Sequence, residues 1–171
     1  MNSLFNTSIK FGLIGSGIYM FIFMIYYFSG ANPLVEMYII NIFILPIFLY
    51  FGIREFRDYR NGSLLSFGQG MSLGVILYVL IATLTSAFTF VFLEFIDSSL
   101  VENFIQVRID DLVSNKDKTV EELGQEMFNE QVMKIENNDA KDLVLDSFLK
   151  RVLLGFFLTT VISLVMKKTE R

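Results

Sequence analysis

The sequence predicts an all-α fold: a four-helix polytopic membrane bundle with an amphipathic helical hairpin inserted between transmembrane helices three and four. Two observations carry this. Apolar residues, 53% of the 171-residue chain, collect in four long blocks, and charges crowd the gaps between them. One gap, residues 97–147, is long and acidic yet keeps apolar residues at helical spacing. Composition narrows the chemistry. The chain has no Cys and no His, which removes disulfides, thiol nucleophiles, Cys/His zinc sites, haem ligation through His and His general bases. A net charge of −4 argues against nucleic acid, whose phosphates need clustered Lys and Arg on a folded face. With no nucleophile–base pair and no metal constellation in the pattern, the chain reads as a non-enzyme without a catalytic residue, metal or cofactor.

The first block, residues 11–28 (FGLIGSGIYMFIFMIYYF), carries no charge over about 18 residues, close to what crosses ~30 Å of hydrocarbon at 1.5 Å per residue. A signal peptide cut near Ser29-Gly30-Ala31 is the competing reading. The run is longer than an ordinary signal core, and three further apolar blocks follow it. In the second block, residues 34–53, Pro33 suits the first turn, where a missing N–H costs nothing. Pro46 lies inside and is expected to kink the helix and release the carbonyl of Ile42. Asn41 is the main polar group of this span. The third block, residues 67–96, opens with Ser66-Phe67-Gly68-Gln69, a capping-box pattern with Ser66 as N-cap, and is long enough to cross with tilt. The fourth, residues 148–166, belongs to a helix that starts near Asp139 or Ala140. Its apolar core is short, so crossing needs Lys150, Arg151, Lys167 and Lys168 to snorkel to the interfaces.

Residues 97–151 hold 13 acidic and 7 basic side chains. Leu100, Phe104 and Val107 mark one amphipathic helix. Thr119-Val120-Glu121-Glu122 has a second capping-box pattern and leads into Leu123, Met127, Val132 and Ile135, with SNKDK as the linker. The apolar stripe argues for a folded hairpin, since a bare charge run would lack it. The hairpin either docks a membrane or periplasmic partner protein or packs on itself as a cap on the bundle. Its acidity disfavours anionic lipid.

Lys10, Arg54, Arg57, Arg60, Lys167, Lys168 and Arg171 flank the spans on one side, and the acidic insertion lies on the other. The positive-inside rule then puts both termini in the cytoplasm. Three groups are candidate sites. Glu36 and Glu94, with Asp97 beside them and Asn41 deeper, form a candidate polar or ion site; the alternative is headgroup-level pairing with Lys150 or Arg151. Arg54, Arg57 and Arg60 either contact anionic lipid headgroups from the cytoplasm or simply set the threading. Gly70, Gly74, Ala82 and Ser86 form a small-residue stripe for helix packing, with Gly12 and Ser16 of the first span as its matching surface, within one chain or across a homodimer.

The stretches NTSIKFGLIGSGI, PLVEM and ILPIFLYFGIREFRDYRNGSLLSFGQG, with the terminal apolar run before Lys167-Lys168, resemble domain-of-unknown-function family 4199, small bacterial inner-membrane proteins. The resemblance covers nearly the whole chain. It implies a four-helix protein of the inner membrane and no particular activity. Two functions fit: a non-enzymatic accessory or assembly component, or a small homo-oligomeric transporter or channel for an ion or small solute.

Overall fold

The structure is a computed structural model that describes residues 3–169, with the side chains of Tyr38, Ile39 and Asn41 outside the description. It is all-helical: α1 (Ser3–Phe28), α2 (Pro33–Glu36), α3 (Tyr38–Glu55), α4 (Phe67–Phe95), α5 (Ser99–Ser114), α6 (Lys116–Leu123), α7 (Gln125–Glu136) and α8 (Ala140–Met166). A π-helical turn, Phe56–Arg60, extends α3. Among the described residues, three helices, α1, α4 and α8, are long and apolar enough to cross a membrane.

The starts follow local chemistry. Asn32 caps α2 by accepting from the Leu34 N–H, ahead of Pro33. Ser66 and Gln69 close the capping box of α4. Asp139 and Asp142 form another at the start of α8, satisfying N–H groups that a helix leaves open. The second apolar block is not one helix, because the chain breaks at Met37 between α2 and α3. Met37, the turn residue between them, is buried in the core. Helix α3 runs on through Pro46.

The insertion forms three helices instead of two. Its corners are Asn115 and Gly124, and Thr119 lies inside α6. The Thr119 hydroxyl donates back to the Asn115 carbonyl, so it caps nothing. Gly124 adopts φ +87° and ψ 159°, a backbone state open to glycine, and this residue breaks the helix. Helix α7 packs on both α5 and α6, and α5 leans on α2. Asn32 donates from Nδ2 to the Leu100 carbonyl at 2.8 Å and to Asn103 Oδ1 at 2.9 Å.

Helix α4 is the centre of the bundle and packs against α1, α3 and α8. The interior is unlike that of a water-soluble bundle. Thr7, Ser8, Ser16, Thr85, Ser86, Thr89, Thr159 and Ser163 are buried, while Leu13, Phe21, Phe43, Leu153, Phe157 and Val165 are exposed. Small polar residues inside and large apolar residues outside suit a lipid surround, where helices associate by close packing because lipid is as apolar as the side chains.

Two apolar clusters divide the core. One holds Leu45, Leu49, Ile53, Phe56, Leu65, Leu73 and Leu77. The other holds Phe23, Met37, Ile44, Phe92, Leu93 and Leu100, with Phe23, Phe88 and Phe92 meeting edge to face or tilted at 5.0–5.9 Å. At the end nearer the first cluster, Lys10 pairs with Glu55 at 2.7 Å. Leu65 and Lys168 exchange two backbone hydrogen bonds at the same end, of 2.7 and 2.9 Å. Both ends of the described chain therefore sit at one end of the bundle, opposite the acidic insertion.

Candidate functional site

The polar centre of the bundle is Arg151. It follows Ala140 by eleven residues, about 17 Å along α8 at 1.5 Å per residue. Its Nη2 donates to the Tyr19 hydroxyl at 3.0 Å. Its Nη1 donates to Thr85 Oγ1 at 3.1 Å and makes a longer contact with Ser86 Oγ at 3.5 Å. The guanidinium carbon lies 4.8 Å from the Tyr19 ring centroid, within cation–π range. Thr85 passes its own proton to the Ile81 carbonyl at 2.7 Å, and Thr89 passes its proton to the Thr85 carbonyl at 2.9 Å. Beside the guanidinium is a partly enclosed cavity of about 40 Å³, lined by Tyr19, Pro33, Leu34, Ser86, Thr89, Val144, Ser147 and Arg151. It has room for a few water-sized groups.

This corrects the snorkelling expected of Arg151. Position 151 shares its helix face with Gly155, Thr159 and Ser163 at four-residue spacing, and that face meets α4. Lys150 lies one residue off the seam; it stays exposed and pairs with Asp146 at 2.5 Å. The four-residue phase is the sequence signal that marks Arg151 as inward-facing. Of the acids expected to pair with Lys150 or Arg151, Asp97 is engaged elsewhere. Asp97 accepts from Ser99 Oγ at 2.6 Å and from its N–H at 3.1 Å. Hydrogen bonds from Ser99 and then Tyr27 hold its carboxyl below the usual range.

Glu36 and Glu94 are exposed, and the Asn41 side chain lies outside the described residues. At the opposite end, Asp58 engages two of the three arginines. Arg57 Nε and Nη2 donate to its two oxygens at 2.7 and 3.3 Å, and Arg54 Nε lies 3.5 Å away. The Arg57 hydrogen bond keeps the Asp58 carboxyl below its ordinary range. Arg60 is exposed on the π-helical turn, whose wider i→i+5 bonding breaks the helical phase of the three arginines.

The small-residue stripe of α4 faces α8. A Cβ built on Gly70 falls 2.6 Å from Ser163 Oγ, and one built on Gly74 falls 2.7 Å from Thr159 Oγ1. From the other side, a Cβ on Gly155 falls 2.5 Å from the Tyr78 ring. Within the chain the matching surface is thus Gly155, Thr159 and Ser163, not Gly12 and Ser16. Gly12 instead meets Leu80, and Ser16 bonds within α1 to the Gly12 carbonyl. Ala82 and Ser86 continue the stripe toward Arg151. Among the described residues, no group of three or more His, Cys, Asp or Glu is placed to hold a metal ion.

A family model described as a protein of unknown function, DUF4199, matches residues 10–168. The chain belongs to the DUF4199 family. No curated protein and no solved structure matches it. The match runs from Lys10 in α1 to the Leu65–Lys168 bridge and includes α8 and its Arg151.

Proposed function

We propose that this DUF4199 protein is a four-pass protein of the bacterial inner membrane with both termini in the cytoplasm, acting as a non-enzymatic accessory or assembly component. The inverted polarity of the bundle supports the membrane setting. As the fourth pass, α3 spans 18 residues, about 27 Å at 1.5 Å per residue, near the thickness of the hydrocarbon core. The excess of Lys and Arg around the end that carries Lys10, Arg54 and Lys168 supports a cytoplasmic location for that end.

The observation that carries the assembly role is the surface of the insertion. Val113, Leu123, Met127 and Met133 are each about half exposed, on helices that stand outside the membrane-length ones. Leu100, Val101 and Phe128 already supply the buried side of this unit. Exposed Met and Leu on amphipathic helices suit a groove or helix of a partner protein. Photo-crosslinkers at Met127 and Met133, used in native membranes at native expression, should trap one partner of constant mass. Glu at both positions should release it. Adducts that are absent or random in mass would refute the role. Threading is tested by Asn115→Cys in the Cys-free background: an impermeant maleimide should label it in cells whose outer membrane alone is opened. Labelling only after the inner membrane is breached would reverse the orientation.

The Arg151 cavity favours a second reading, a homo-oligomeric transporter or channel for an ion or small solute. Solute flux in proteoliposomes that is lost in Arg151→Gln would place the function there.

A further inference from the structure

We propose that the Arg151 cavity binds a small monovalent anion, of the size of a halide or a carboxylate group, on hydroxyl donors polarised by the guanidinium.

A hydroxyl that accepts from a guanidinium must aim its proton elsewhere, and its O–H is made a stronger donor by the cation behind it. Thr85 and Thr89 have spent their protons on the Ile81 and Thr85 carbonyls. Tyr19 takes a hydrogen bond from Arg151 at 3.0 Å and Ser86 Oγ lies 3.5 Å from its Nη1; both line the cavity, together with Ser147. The nearest described partner for the Tyr19 proton is Thr89 Oγ1, at a long 3.4 Å. Ser147 lies one turn before Arg151 on the same face of α8. The cavity thus presents hydroxyl donors from α1, α4 and α8 beside a cation, with Pro33, Leu34 and Val144 as apolar walls. Such walls keep the local dielectric low and strengthen charge-assisted hydrogen bonds.

Size chooses the ligand. The cavity volume of about 40 Å³ admits a halide with a water, or a carboxylate group. Pro33, Leu34 and Ser147 belong to the half of the bundle that carries the insertion, so the ion enters from that side. The insertion is acidic, but its carboxylates are mostly exposed, and their field is screened beyond about 8–10 Å at ordinary salt. A lipid phosphate offers related chemistry from another source. A phosphodiester with its glycerol arm is bulkier than the halide or carboxylate group that about 40 Å³ admits, which favours the free ion.

The test uses the full chain in nanodiscs of zwitterionic lipid, with chloride, bromide or formate titrated against gluconate at constant ionic strength. Chloride, bromide and formate should each raise the thermal midpoint saturably, and 35Cl resonance broadening should report exchange with the site. Arg151→Gln should abolish both signals. Should that variant fail to fold, Ser147→Ala provides the second measurement: it leaves the guanidinium bonds intact and should weaken the apparent affinity roughly tenfold, the value of one hydrogen bond to a charged group. A response of equal size in wild type and Ser147→Ala overturns the proposal, as does no response to any of the three anions. Stabilisation by phosphatidylglycerol nanodiscs without a halide or formate effect also overturns it, and assigns the cavity to lipid.

Discussion

A methyl group added at position 74 probes the seam between α4 and α8 directly. The Cβ of an alanine there falls 2.7 Å from Thr159 Oγ1 and 3.0 Å from Thr159 Cβ, and closer still to Cγ2. Comfortable carbon contacts begin near 3.5 Å. Rotating Thr159 does not clear the space, because its Cβ stays in place and its two branches exchange positions in a helix. The helices must part by roughly 1 Å, which is the scale of overpacking that costs about 1–3 kcal/mol. Better helix propensity of Ala over Gly returns up to about 1 kcal/mol. Parting the seam also loosens Gly70 on Ser163 and Tyr78 on Gly155. The expected net loss for Gly74→Ala is therefore about 1–2 kcal/mol, read as a lower midpoint in SDS titration followed by circular dichroism. Gly17→Ala is the control: that site is exposed and nothing lies within 4 Å of its Cβ, so no loss is expected. Adding Thr159→Gly to Gly74→Ala should restore part of the stability beyond additivity. A Gly74→Ala midpoint equal to that of Gly17→Ala would refute the close-packed seam.

Three other substitutions test separate features. Thr159 Oγ1 is buried without a hydrogen-bond partner among the described residues, so Thr159→Val, which keeps the shape and removes the hydroxyl, should leave the SDS midpoint unchanged or raise it by up to about 1 kcal/mol. Ser66→Ala removes the capping bond to the Gln69 N–H and should lower the same midpoint by about 1 kcal/mol. The Asp58 carboxyl is held low by hydrogen bonding from Arg57, so its stabilising contribution is present above the unfolded value of about 3.9. That contribution disappears as pH falls through the lower folded value. Melting curves between pH 7 and pH 3 should therefore fall less steeply for Asp58→Asn than for wild type.

Much of the architecture was legible because it depends on short-range pattern. Apolar run length, the Ser66–Gln69 box and the start of α8 at Asp139 are written within a few residues of one another. The misread positions are those where a local pattern had a competitor elsewhere. Thr119 has the spacing of a cap, yet Gly124, five residues on, supplies the break. Pro33 and Leu34 look like the opening of one helix, but a turn at Met37, a buried residue, divides α2 from α3. The Gly70–Gly74 stripe announces a close contact without naming its partner, since α1 and α8 both carry small residues at four-residue spacing.

The sequence by itself determined that the chain is helical, that its apolar segments are membrane-length, and that its charge divides between a basic end and an acidic insertion. These properties follow from composition and periodicity, which act along the chain. Only the tertiary structure decided that α8 is the partner of α4 and that Arg151 turns inward while Lys150 stays out. One residue of helical phase, about 100° of rotation, separates those two fates. The choice between them rests on Tyr19, Thr85 and Ser86, more than sixty positions away in sequence, which no local pattern can bring to the same place.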